Sequence, residues 1–136
     1  MKKVISGGQT GVDRAALDAA LAAGVPIGGW CPRGRLAEDG IIDAKYPLRE
    51  TPSSAYFQRT EWNVRDSDET LVLYRSRLSG GSRLTWYMAR KHGKPCRAFD
   101  LDQEMPADLS IFREDVVLNI AGPRESQAPG IYQAVY

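Results

Sequence analysis

Short apolar runs, each closed by glycine or charge, alternate along this chain with longer stretches of mixed polarity. The first run, Val4–Ile5, is followed by Gly7, Gly8 and Gly11 and then by an alanine-rich stretch. In that stretch Leu17, Ala20, Leu21 and Gly24 recur at i, i+3, i+4 and i+7. The pattern predicts a strand, a glycine-rich turn, and a helix that stops at Gly24 with Pro26 beyond. Residues 25–32 (VPIGGWCP) predict a brief second strand. Residues 33–53 lack periodicity and are rich in Gly, Pro and charge, which predicts an ordered irregular loop. Residues 54–67 predict a helix without a clean apolar stripe, on which Tyr56, Thr60 and Asn63 share a face.

The second half repeats the grammar of the first. ETLVLYR (69–75) predicts a strand, and SGGSRLTWYMARKHGKP (79–95) a helix with glycines at its start and a Gly-Lys-Pro stop. PCRAFDL (95–101) predicts a fourth strand, 106–115 a short helix, VVLNIAG (116–122) a fifth strand, and the tail a last helix. Strands alternating with helices at these intervals imply βαβ units. The expected fold is one α/β domain over residues 1–136. It would be a Rossmann-like three-layer sandwich, with a mostly parallel five-stranded sheet, helices on both faces and right-handed crossovers.

In such a sheet ligands bind beyond the carboxyl ends of the strands, where the strand order reverses. Three strand-end loops carry matching chemistry: Ser6-Gly7-Gly8-Gln9-Thr10-Gly11, Ser79-Gly80-Gly81-Ser82, and Ala121-Gly122-Pro123-Arg124-Glu125-Ser126. Glycine admits φ > 0 and close approach of a ligand to backbone. The first N–H groups of a helix lack internal partners and sit at the positive end of its dipole, which suits phosphate or another anion. The bland alternative for the first loop is a tight turn with Thr10 and Asp13 as a T-x-x-D helix cap. Gly8→Asp is expected to abolish ligand binding with the fold intact.

The loops do not match the better-known phosphate motifs. Ser6 stands at the first position of G-x-G-x-x-G, and no acidic residue follows the second strand to hold a ribose. A P-loop would need Gly-Lys-Ser/Thr, which is missing. Softer candidates are Trp30 as a stacking surface for a flat heterocycle, Asn119 lining the site, Arg124 closing over an anion and Glu61 as a general base. Each has a structural alternative: a core tryptophan, a satisfied amide, a surface cation and a solvated glutamate.

Composition narrows the classes without naming one. With 43% hydrophobic and 26% charged residues the chain matches ordinary globular proteins, and a net charge of +1 offers no global attraction to nucleic acid or membrane. The start, MKKVISGG, has no apolar stretch of signal-peptide length before its glycines, which points to the cytoplasm. Cys31 and Cys96 lie far apart with no C-x-x-C, so no disulfide framework or structural metal is expected. The one histidine, His92, sits at a basic helix end, which argues against histidine-based catalysis.

The segments ISGGQTGVDRAALDAAL, GGWCPRGRLAEDG, YPLRETPSSAYFQRTEWNVRDSDETLVL, LSGGSRLT, GKPC and LNIAGPRES together resemble the molybdenum cofactor carrier proteins. These are similar to a wider Rossmann-like group, lysine-decarboxylase-like in name, that includes the cytokinin-activating "lonely guy" enzymes. The resemblance spans nearly the whole chain. It implies a homo-oligomer (dimer or tetramer) with a pocket for a small anionic ligand, the phosphate-bearing pterin of the molybdenum cofactor or otherwise a nucleotide. Molybdoenzymes would then receive the cofactor. It also implies that Gly7, Gly8, Thr10 and Gly11 form one phosphate loop and Ser79, Gly80, Gly81 and Ser82 a second. The phosphoribohydrolase branch carries P-G-G-x-G-T-x-x-E. Here the region reads Leu78-Ser79-Gly80-Gly81-Ser82-Arg83-Leu84-Thr85-Trp86, without the following glutamate. A non-catalytic binding protein is therefore the leading expectation. A nucleotide-derivative N-glycosidase or a nucleotide-sensing module stands as the alternative.

Overall fold

A computed structural model describes residues 2–78, 80–103 and 115–136. Five strands form the central sheet: β1 (Lys3–Ile5), β2 (Ile27–Gly28), β7 (Glu69–Tyr74), β8 (Cys96–Asp100) and β9 (Val117–Ala121). Their order is β2-β1-β9-β7-β8, and every pairing is parallel. Helices α1 (Val12–Ala22) and α4 (Ile131–Val135) cover one face, and α2 (Tyr56–Arg65) and α3 (Gly80–Lys91) the other. This is the expected Rossmann-like α/β sandwich. Of the helix expected over 106–115, all but Asp115 falls outside the described residues, as does Ser79.

Numbered from β9 instead of β1, the sheet order becomes 3-2-1-4-5, the leading five strands of the doubly wound dinucleotide fold. The chain is a circular permutation of that order. The strand that opens a Rossmann domain is here the last one, between β1 and β7, and the order reverses at the β9–β7 junction. The carboxyl ends of β1, β9 and β7 therefore lie side by side, and the loops after them share one edge.

The two faces of the sheet differ in chemistry. Val4, Leu71, Leu73, Leu118 and Ile120 point to the α1/α4 side and pack with Val12, Ala16, Ala20 and Ile131 into the main core. The opposite face carries Thr70 and Asn119, both buried, with the Asn119 amide donating to Thr70 Oγ1 at 3.3 Å. A smaller cluster of Val64, Met88 and Ala89 seals α2 against α3. On α1 the buried stripe is Val12, Ala15, Ala16, Leu17 and Ala20, while Leu21 is 45% exposed. The i, i+3, i+4, i+7 spacing points Leu21 inward, but the main core takes its contacts from the alanine side of the helix.

The segment after the second strand gains structure that periodicity did not show. The second strand breaks at Gly29, whose φ of 128° disfavours a side chain. Its continuation, β3 (Trp30–Cys31), leaves the main sheet to pair with β6 (Arg49–Glu50). Between them β4 (Leu36–Ala37) and β5 (Gly40–Ile41) form a small antiparallel hairpin. The base of this excursion is fixed by the Arg35 guanidinium, which donates to the carbonyls of Ile42, Asp43, Tyr46 and Leu48. Among the described residues no helix is long and apolar enough to cross a membrane.

Candidate functional site

At the carboxyl edge of β1, β9 and β7 a narrow cleft of about 40 Å³ opens between α2, α3 and the strand ends. It is lined by Gly7, Asp13, Arg59, Thr60, Asn63, Gly81, Thr85, Asn119, Ala121 and Gly122. The sequence-based candidates Gly7, Thr60, Asn63, Gly81 and Asn119 meet there. So do Asp13, Arg59 and Thr85, which sequence reasoning did not assign to the site.

Arg59 dominates this cleft. Its guanidinium lies on the backbone of Gly7, where a Cβ would collide with Nη1 and stand 2.8 Å from Cδ. Nη1 contacts Asp13 Oδ2 at 3.3 Å, with the two side chains 12% and 7% exposed. The guanidinium carbon also stands 5.2 Å from the centre of the Tyr56 ring. Arg59 Nε is buried and has no hydrogen-bond partner among the described residues. An unsatisfied buried donor of this kind is uncommon and costly, so its position asks for an acceptor.

Asp13 sits in the first turn of α1. Burial raises its carboxyl to about 6, against the opposing pull of Arg59, of the backbone N–H groups of Gln9 and Gly122, and of Arg14. The two polar helix residues face the cleft in a restrained way. Thr60 and Thr85 hydroxyls donate back to the carbonyls of Tyr56 (3.1 Å) and Gly81 (2.9 Å), leaving their lone pairs to accept. Asn63 is fully engaged with β3: Trp30 N–H donates to its Oδ1 at 2.8 Å, and its Nδ2 donates to Trp30 O at 2.9 Å.

The remaining candidates lie around the cleft. In the opening loop several donors are already spoken for: Gly8 N–H by Ser6 Oγ, Thr10 N–H by Gln9 Oε1, and Val12 N–H by Pro123 O. Gln9 Oε1 also accepts from Glu38 N–H. The cap of α1 is Gly11 with no side-chain bond, so the T-x-x-D cap does not form. Gly11 packs instead against Pro123–Glu125. Gly8 is buried with φ 75°, and a Cβ there would stand 2.6 Å from Leu48 Cδ1. Aspartate at this position would disturb the fold, which corrects the expectation of an intact Gly8→Asp variant.

On the α3 side, Gly80 and Gly81 form the helix start, and Ser82 is buried with its Oγ unpartnered among the described residues. Trp30 stands edge-on to Trp62, with centroids 4.8 Å apart, and its indole N–H donates to Asp66 Oδ2 at 2.7 Å. It borders a separate hollow of about 270 Å³ with Lys3, Pro47 and Arg49. Glu61 is outside the cleft: Lys91 (2.8 Å) and His92 (2.9 Å) hold its carboxylate and keep it below the usual range. Cys31 is buried, which pushes its thiol up, and among the described residues no group of three His, Cys, Asp or Glu side chains could hold a metal ion. Thr10, Arg124 and Ser126 gather on the carboxylate of Glu38 beside the cleft.

The comparisons agree with this topology. Residues 4–136 match the model of the circularly permutated YpsA SLOG family. A search of curated proteins gives no match. Among solved structures, the crystal structure of a "Putative molybdenum carrier protein" from Syntrophus aciditrophicus SB is 48% identical, with a TM-score of 0.89 over 99% of this chain and 90% of that one.

Proposed function

The chain belongs to the circularly permutated YpsA SLOG family, and from that premise we propose that it binds and carries a phosphate-bearing heterocycle at the Arg59 cleft. The observation that carries this reading is the buried guanidinium laid over Gly7 with its Nε left without an acceptor. A ligand phosphate would satisfy that donor by a charge-assisted hydrogen bond, with Asn119 and the threonine oxygens meeting polar atoms of the ring system. At about 40 Å³ the cleft has room for only a few waters. A heterocycle therefore enters only as Arg59 swings from Asp13 towards the ligand.

The specific ligand we favour is the molybdenum cofactor, on the strength of the name borne by the 48% identical neighbour. The residues fit its phosphate through Arg59. They supply no cluster of metal ligands among those described, so any molybdenum would be held by the pterin itself. The test is to purify the protein without oxygen, denature it, and read what is released by mass spectrometry and pterin fluorescence. A stoichiometric pterin supports the reading, and its loss in Arg59→Gln, with an unchanged circular dichroism spectrum, places it at the cleft. Ligand retained at full stoichiometry in Arg59→Gln would remove the cleft from the account.

A second reading is supported by Asp13. A buried carboxylic acid raised to about 6 beside a cation in a cleft is the environment of a general acid or base. In that reading the protein cleaves the N-glycosidic bond of a nucleotide derivative, with Asp13 rather than Glu61 moving the proton. Release of free base from a nucleoside monophosphate panel, lost in Asp13→Asn, would favour it. No turnover of any member leaves the carrier reading alone.

A further inference from the structure

Beside the cleft, two segments distant in sequence, at Thr10 and at 124–126, aim hydrogen-bond donors at one carboxylate. Glu38, at the tip of the β4–β5 hairpin, accepts from the hydroxyls of Thr10 and Ser126 and from the backbone N–H of Ser126 at 3.1 Å. Thr10 Oγ1 accepts from Glu125 N–H at 3.1 Å, which turns its own proton towards Glu38. Arg124 Nε pairs with Glu38 Oε1 at 3.6 Å, too far for a hydrogen bond, and that buried atom has no hydrogen-bond partner among the described residues. The carboxylate bonds three of the four donors and leaves Arg124 Nε out of hydrogen-bond reach. A tetrahedral oxyanion in the same place would present a further oxygen, within reach of Arg124 Nε.

We propose that Thr10, Arg124 and Ser126 form an oxyanion subsite for phosphate, and that Glu38 stands in it as the chain's own replaceable anion. The hairpin is built to leave. Leu36 and Ile41 are 44% and 77% exposed, so its tip buries little apolar surface. Its tip is held by polar contacts, those of Glu38 and the Arg14–Asp39 pair at 2.5 Å. Arg35 anchors its base by bonds to four carbonyls, so the tip can lift without loosening the segment below. Segments held this way open at low free-energy cost.

This inference rests on the reading of an anion site at this edge, and one set of titrations separates the two. Inorganic phosphate is titrated calorimetrically into the wild-type protein, Glu38→Gln, Glu38→Gln with Arg124→Gln, and Arg59→Gln. Removing the resident charge should tighten phosphate binding at least tenfold in Glu38→Gln, and the added Arg124→Gln should reverse the gain. Should Glu38→Gln fail to fold, amide exchange of residues 36–41 in the wild-type protein gives the same answer, rising as phosphate displaces Glu38. Equal phosphate affinity in wild type and Glu38→Gln, or exchange unmoved by phosphate, overturns the subsite. If phosphate binding is lost in Arg59→Gln alone, the cleft reading stands and the subsite falls. Adenosine monophosphate in place of phosphate identifies the source of the oxyanion. Equal affinity means a free oxyanion, and tighter binding means the phosphate end of a larger ligand, each in keeping with the subsite.

Discussion

Asp13 and Arg59 form a balance that a proton can tip. Asp13 is raised from 3.8 to about 6 chiefly by burial, so between those values the folded chain keeps a proton that the unfolded chain has lost. Stability therefore falls as pH rises through that window, by about 3 kcal/mol when complete. Asp13→Asn should melt higher than wild type at pH 8, with the difference closing by pH 4. A constant separation between the two melting curves would contradict this account. Protonation also releases Arg59, so an anion should bind more tightly as pH falls through about 6. Sulfate is the suitable probe because its own charge does not change there, and in Asp13→Asn its affinity should be flat with pH. Gly7→Ala approaches the same pair from below, since the new methyl would occupy the place of Arg59 Nη1. The guanidinium can move, so the fold should survive while ligand affinity drops at least tenfold. At this scale the sequence was partly legible. Thr60, Asn63 and Asn119 were findable because polar residues on buried elements need partners. Arg59 was not, because one arginine on a polar helix looks the same as a solvated one until Gly7 is seen beneath it.

Among the elements, α2 is the one that ties the site to the frame. Asn63 bridges both backbone groups of Trp30 just after the chain breaks from β2 to β3 at Gly29. Asn63→Ala would leave the Trp30 N–H and C=O unpaired, and a loss of about 2–4 kcal/mol is expected from two such groups. Chemical denaturation reads this directly, and a change below about 0.5 kcal/mol, the level of an ordinary surface substitution, would show that water replaces the amide. The apolar runs marked the five strands of the central sheet, since burial on both faces of a parallel sheet leaves an apolar signature. Strands β3 to β6, outside that sheet, left none. Their pairing is set by Arg35, Glu38 and Asn63 contacts made across the fold, and two residues are too few for any period to register.

For the whole molecule, strand order is a property of pairing that no local pattern encodes. β9 inserts between β1 and β7 although more than forty residues separate it from β7 in sequence, and that insertion brings the 121–126 loop against Gly11. The convergence of three loops on one edge was deducible from a parallel sheet alone. Their division into a narrow Arg59 cleft and a Glu38-filled corner was not. Because both depend on the folded arrangement, a ligand that binds them adds to global stability by mass action. At a hundredfold excess over Kd the gain is about 2.7 kcal/mol, which for a chain of this length raises Tm by roughly 9 °C. If the protein carries a ligand through purification, the stripped and refolded protein should melt lower by that order, and adding back what was released should restore the difference. Restoration by inorganic phosphate alone would assign the binding energy to the oxyanion contacts of Arg59 and Arg124. Restoration only by the complete heterocycle would mean that the cleft, once Arg59 has moved, contributes most of the affinity.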